Sequence, residues 1–353
     1  MKNLLGMPLD KLTAEFVSLG QSKYRGKQLY TWIYEKNVLD FDAMTDVSKA
    51  FRETLKQEYC LALPKIFRRQ DSSDGTLKLL LEMEDGAKVE TVLMPYNYGN
   101  AICVSSQVGC NMGCAFCASG LNKKERNLTY SEIMGEVLVM NSILLERGER
   151  VTHIVVMGTG EPFDNYDNVL DFVKCANDQN GLAIGARHIT VSTCGIPSGI
   201  RKYGKEGIQI NLAISLHAPN QELRQELMPV GRAYPIPELF SAIAEYESDA
   251  GRRVTFEYIM LAGFNDSLAQ ADELADLIHQ YKIYAYVNLI PYNEVKEKPY
   301  KRSSSSSIKA FADRLMKRGI NTTVRKEFGS DIDAACGQLR AKYMKRPSGG
   351  ETR

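Results

Sequence analysis

Two hydrophobic periods divide this chain. Between Pro8 and Leu61 apolar residues recur at helical spacing: Leu12, Phe16 and Leu19 line one face of a helix that Asp10 can cap and Gly20 can end. A basic stretch, Lys23-Tyr24-Arg25-Gly26-Lys27, then leads into Leu29-Tyr30-Thr31-Trp32-Ile33-Tyr34. From Lys65 to Pro95 the period shortens to two. Thr76–Glu82 and Val89–Met94 flank an Asp85-Gly86 turn signal and predict a β-hairpin.

From Ala101 onward short β-branched runs alternate with helical stretches. The runs are Ala101–Ser105, Thr152–Met157, His188–Ser192, Ile208–Leu216, Val254–Met260 and Tyr286–Ile290, and a helix over about Ser131–Glu146 follows the first of them. Such alternation predicts an α/β fold with a parallel sheet covered by helices. About six repeats before residue 325 are too few for an eight-unit barrel, so the expectation is an open, partial β/α barrel. The predicted division is a helical N-terminal unit (1–64), a hairpin connector (65–100), the partial barrel (101–325) and a C-terminal segment (326–353). Ser303–Ser307, a polyserine run, reads as a flexible loop.

Composition changes this picture little: 44% hydrophobic and 25% charged residues, with a net charge of +1, are ordinary for a globular protein. No apolar run approaches the roughly 20 residues that span a bilayer. The start of the chain meets Asp10 without an apolar core and cleavage site, which argues against a signal peptide. Eight cysteines then point to a reducing, cytoplasmic setting in which thiols serve metals or catalysis. Residues 301–353 hold thirteen Lys or Arg against five Asp or Glu, a basic end that either attracts phosphates or is simply solvated.

The chemistry concentrates in Gly109-Cys110-Asn111-Met112-Gly113-Cys114-Ala115-Phe116-Cys117. A C-x3-C-x2-C spacing places three thiolates on one loop, enough for three corners of an iron–sulfur cube whose fourth iron stays open to a substrate. Zinc is the competing reading, but it asks for four ligands, and no second C-x2-C pair or His lies nearby. The spacing resembles that of the radical S-adenosylmethionine (SAM) superfamily. Ligands of parallel α/β sheets bind beyond the carboxyl ends of the strands, where this loop, Gly158-Thr159-Gly160-Glu161-Pro162, Ser192, Ser215-Leu216-His217 and Asn293 all fall.

Longer strings narrow the resemblance. Val89-Glu90-Thr91-Val92, Ser105–Cys110, Met157–Pro162, Ile214–Asn220, Asn288-Leu289-Ile290-Pro291 and Asp331–Leu339, which contains Cys336, resemble the RlmN/Cfr family of radical SAM RNA methyltransferases over nearly the whole chain, and the RlmN branch more closely. That resemblance implies a [4Fe-4S] cluster held by Cys110, Cys114 and Cys117, two SAM molecules per turnover, and methylation of an adenine. The carbon is C2 of adenine 2503 in 23S rRNA and of adenine 37 in some tRNAs, or C8 of the rRNA adenine in the resistance-conferring Cfr branch. An electron donor such as flavodoxin or ferredoxin is implied, and no membrane partner.

Adenine C2 is neither acidic nor nucleophilic, so direct transfer from a sulfonium is blocked. The resemblance implies that Cys336 takes a methyl from one SAM, that a 5′-deoxyadenosyl radical from a second removes hydrogen from that methyl, and that the resulting carbon radical adds to the ring. Cys103 then takes the ring proton and closes a transient disulfide with Cys336, releasing the base. Glu90 is a second candidate for the proton, although an ordinary salt bridge would also explain it. Gly160 allows close backbone approach to the amino-acid end of SAM and Glu161 a carboxylate for its ammonium group. Ser192, Ser215, Leu216, His217 and Asn293 line the rest, with Phe116 on the adenine side. His217 alone is more often a satisfied core histidine. Cys60, Cys175 and Cys194 receive no role, as small buried hydrophobes. Lys23, Arg25, Lys27, Arg52, Lys342, Lys345 and Arg346 are candidate phosphate contacts. A rival of another class is a non-catalytic RNA-binding protein with a structural metal; a glycyl-radical activase leaves Cys336 and the N-terminal unit unexplained.

Overall fold

The computed structural model describes residues 1–332. Its centre is a ten-stranded sheet: β1 (Lys65–Asp71), β2 (Leu77–Glu82), β3 (Lys88–Tyr96), β4 (Gly99–Val104), β5 (Val151–Val156), β6 (Ile189–Thr193), β7 (Asn211–Ser215), β8 (Val254–Met260), β9 (Ala285–Pro291) and β10 (Asn321–Val324). The strands lie side by side in chain order. Neighbours from β4 to β10 pair in parallel, whereas β1 to β4 pair antiparallel. Parallel neighbours need helical crossovers, and these bury the β-branched runs on the covered face.

The open α/β barrel read from the alternation is therefore present, with one more parallel strand, β10, than the apolar runs indicated. Asn321-Thr322-Thr323-Val324 is a mostly exposed edge strand and carries too little apolar character to stand out. The hairpin is found as β2 and β3, but it is continuous with the barrel sheet: Val92 of β3 pairs with Cys103 of β4. The run Ile208–Leu216 forms a strand only from Asn211.

The helix Tyr130–Leu145 starts with a capping box between Thr129 and Glu132, and its Glu136 accepts the Ser105 backbone N–H at 3.2 and 3.1 Å through its two oxygens. Fully buried, that carboxyl titrates well above the usual carboxylate range because burial disfavours its charge. The N-terminal unit packs here. A Cβ on Gly6 would lie 2.6 Å from Tyr130 O, and the Tyr30 and Tyr34 hydroxyls reach Cys175 Sγ at 3.4 and 3.3 Å. Tyr30, Trp32 and Tyr34 are thus core residues, and Cys175 is a buried structural thiol.

The polyserine run is not a flexible loop. Ser304 caps the helix Ser305–Lys317 by accepting from Ser307 N, and Ser303 Oγ donates to Asp266 at 2.7 Å. Serine's short hydroxyl favours this N-cap role, which composition alone conceals. No helix among the described residues is long and apolar enough to cross a membrane.

Candidate active site

The cysteine loop leaves the end of β4 and is closed at its base by a short antiparallel pairing of Gln107–Val108 with Arg126–Asn127. Inside it, Cys110 N donates to Asn122 O (3.0 Å), Cys117 N to Cys114 O (3.2 Å) and Ala115 N to Leu227 O (2.8 Å). Gly109 sits at φ +74°, and a Cβ there would fall 2.1 Å from Lys123 O. Gly109→Ala is expected to destabilise the fold by about 2–4 kcal/mol in urea melts, through both the left-handed backbone and the clash. A change below ~0.5 kcal/mol would show that the loop is free to rearrange.

Cys110, Cys114 and Cys117 line one cavity with Met157, Glu161, Ser192, Ser215 and His217. Burial raises the Cys110 thiol to about 11 and Cys114 further. Among the described residues, no three His, Cys, Asp or Glu side chains meet as on a single ion. A cubane presents separate irons to its thiolates, and three thiols lining one cavity fit that group. Ile259, Ile290 and Phe116 make part of the same wall apolar, beside the Ser192 and Ser215 hydroxyls. A wall of this mixed kind suits a ligand with an aromatic base at one end and charge at the other.

Gly160 (φ +116°) brings the backbone against Ser106 and Gln107, where a Cβ would meet Ser106 Oγ at 2.6 Å. Glu161 is buried and brackets two strand ends. Its Oε1 accepts from Thr193 Oγ1 (2.7 Å) and Phe163 N (2.9 Å), and its Oε2 from Cys194 N (2.7 Å). Burial raises its pKa, with these donors acting in the opposite direction.

His217 adopts φ +58°, and its Nδ1 accepts the Ile259 N–H at 3.1 Å, which places the ring proton of the neutral form on Nε2. Phe116 stands edge-on to it, with ring centroids 4.9 Å apart. Burial, aided by Arg224, lowers the His217 pKa to about 3. The unfolded chain therefore binds more protons than the folded one between pH 6.5 and about 3, and stability falls as pH drops through that window. Urea melts at pH 7.5 and 5 should show wild type losing about 2 kcal/mol more than His217→Gln. Equal losses would mean that His217 takes up a proton in place.

Two of the residues expected around SAM stand apart. Leu216 does not line the cavity, its side chain being fully buried in the main core. Asn293 is half-buried beyond the end of β9 and is likewise not on the cavity wall. Conversely, Glu257 and Arg325 do line it. Glu257 is buried, accepts from Asn288 Nδ2 at 2.9 Å and lies 4.0 Å from Arg325 Nη1. A lone acid inside the apolar run Val254–Met260 was the available signal.

Cys103 is buried with Val92, Met94, Ala101 and Phe328, and Met157 and Ile332 pack on the same group. Glu90, two residues before Val92 on β3, shares that face; its Oε1 lies 3.5 Å from Lys78 Nζ, and both side chains are buried. The salt bridge considered for Glu90 thus exists, with a lysine that the sequence reading did not single out. Cys336 lies outside the described residues, as do Lys342, Lys345 and Arg346. Lys23 and Lys27 are exposed, while Arg25 donates to Gln28 at 2.6 Å and Arg52 to the Asp42 carbonyl.

Residues 2–61 match the N-terminal domain of the ribosomal RNA large subunit methyltransferases, and residues 104–278 match the radical SAM superfamily. The probable dual-specificity RNA methyltransferase RlmN of Streptococcus equi subsp. zooepidemicus (strain H70) is 51% identical over 98% of this chain and 96% of its own length. The probable dual-specificity RNA methyltransferase RlmN of Streptococcus pyogenes serotype M5 (strain Manfredo) is 52% identical over 98% of this chain and 97% of its own length. A radical SAM methyltransferase from Sphaerobacter thermophilus superposes with a TM-score of 0.90 at 42% identity, covering 96% of this chain and 99% of that one. With the thiol loop at the open end of the barrel and the N-terminal unit fused to it, the chain belongs to the RlmN family of radical SAM RNA methyltransferases.

Proposed function

We propose that this enzyme methylates C2 of adenine, at position 2503 of 23S rRNA and position 37 of some tRNAs, in the cytoplasm, with electrons from a donor such as flavodoxin or ferredoxin. One observation carries the reading furthest. Met157 lines the cysteine cavity and also packs on the group around Cys103, so the two chemistries share a wall. Cys110, Cys114 and Cys117 would hold the [4Fe-4S] cluster, and Glu161, Ser192, Ser215 and His217 would surround SAM. When bound, the pair supplies a carbon radical by one-electron reductive cleavage, with two SAM molecules consumed per turnover.

The protein's own part is to carry the carbon and move the proton. Cys336 accepts a methyl group and delivers it to the ring. Ile332, packed on the group around Cys103, precedes Cys336 by four residues, and four residues of chain span at most roughly 14 Å. The Cys103 thiolate then attacks the sulfur of Cys336: the S–S bond forms as the S–CH2 bond to the base breaks, the methylene carbon leaves with the electron pair and takes up a proton to become the product methyl, and an external reductant returns the disulfide to two thiols. Either Cys103 or Glu90 takes the ring proton, and Glu90 Oε1 lies 3.5 Å from Lys78 Nζ. The target base has to leave its stack to reach these groups.

The test is anaerobically reconstituted protein with SAM, a reductant and an unmodified 23S rRNA fragment or tRNA, followed by digestion and mass spectrometry against C2- and C8-methyladenosine standards. A C2 product is expected on both RNAs. A C8 product would overturn the choice of carbon, and no product on tRNA the dual specificity.

A further inference from the structure

The short helix Gln221–Leu227 carries a residue that the reaction above leaves without a task. Arg224 is fully buried and is among the largest side chains that are. Its Nη2 donates to Cys194 O at 2.8 Å and its Nη1 to Tyr234 O at 3.2 Å, while Nε finds no acceptor. No carboxylate stands in ion-pair range of it among the described residues. Two glycines shape the slot around the guanidinium: a Cβ on Gly195 would lie 3.0 Å from Nη2, and one on Gly231 3.1 Å from Nη1.

Carbonyl dipoles solvate a cation but do not neutralise it, and an isolated buried charge costs several kcal/mol. The helix that carries this cation packs against the cysteine loop. The Arg224 helix is tied to the cysteine loop by the Ala115 N–H donating to Leu227 O at 2.8 Å. Leu227 and Met228 also pack with Cys114 and Cys117 in one apolar cluster. The cation is thus fixed behind the loop, on the protein side, where water does not screen it.

We propose that Arg224 is a built-in counter-ion of the iron–sulfur cluster and a positioning residue for its redox step. The inference rests on the reading of Cys110, Cys114 and Cys117 as the cluster ligands. Three thiolates around a cubane form an anionic group. One electron from an external donor makes it one unit more negative, with no bond formed or broken. A fixed buried cation stabilises the reduced form more than the oxidised one and raises the reduction potential. Arginine suits the place because its guanidinium does not lose its proton on burial, as a lysine's ammonium readily does.

The experiment compares full-length wild type, Arg224→Gln and Arg224→Lys after anaerobic reconstitution. It reads iron per chain, the midpoint potential by redox titration followed by electron paramagnetic resonance without SAM or RNA, and the melting of each apoprotein. Arg224→Gln should fold as apoprotein and show a more negative midpoint, with Arg224→Lys between it and wild type. Loss of iron from Arg224→Gln alone also supports the role. An unmoved midpoint at full iron content, loss of iron from both variants, or an Arg224→Gln apoprotein that does not fold overturns it and leaves Arg224 a clamp on two carbonyls. Wild type that binds no iron would instead overturn the cluster reading itself.

Discussion

Cys114→Ala is expected to yield a folded chain that holds no intact cluster and transfers no methyl group. Burial keeps the Cys114 thiol protonated without metal, so in the apoprotein it is a small, nearly apolar side chain. Its loop is held by backbone bonds, those of Cys110 to Asn122 and Ala115 to Leu227, which alanine leaves intact. The apoprotein should therefore melt within about 1 kcal/mol of wild type. Methyl transfer should fall by at least ~10³-fold, because no other residue supplies the radical source. Iron analysis, the visible absorbance of the reconstituted protein and product mass together measure this. Wild-type iron and activity in the variant would remove Cys114 from the site.

Cys103→Ala has a different signature: the RNA should remain attached. If Cys103 closes the cycle by attacking the sulfur of Cys336, its removal stops the reaction at the covalent protein–RNA adduct. A denaturing gel of labelled RNA should show up to one adduct per chain and no multiple turnover. The substitution itself is small in a packed group of Val92, Met94, Ala101 and Phe328, costing on the order of 1 kcal/mol. Loss of the fold is not expected to mask the effect. Free methylated RNA released at the wild-type rate would assign product release to another group, and Glu90→Gln would be the next variant to examine.

Both outcomes depend on residues that a linear reading could reach. Cys110, Cys114 and Cys117 are neighbours along the chain, so their shared cavity follows from loop length. Ser192 and Ser215 end apolar runs, and parallel strands deliver such ends to one rim. The alternation of runs and helices was sufficient for the open barrel because each crossover repeats the same local pattern. It failed at β10, where an edge strand needs little apolar surface, and at Ser303–Ser307, where a repeated residue looked like a flexible loop but supplies a cap.

Other readings turned on partners far away in sequence. Glu161 was legible as an acid beside a glycine, but its three donors come from Phe163, Thr193 and Cys194, two of them on the next strand end. Lys78 was not singled out in the sequence, and only the pairing of β2 with β3 sets it against Glu90 inside the sheet. Arg224 was not singled out in the sequence, and only the fold buries its guanidinium between Gly195 and Gly231.

By itself, then, the sequence determined the thiol loop, the succession of parallel strands and the family chemistry, all of which rest on spacing within short segments. Tertiary structure decided which charges are buried, which partners face them, and that Met157 joins the cysteine cavity to Cys103. A charge's energy depends on the solvent and counter-charges that folding places around it, and neither is written in the order of the residues.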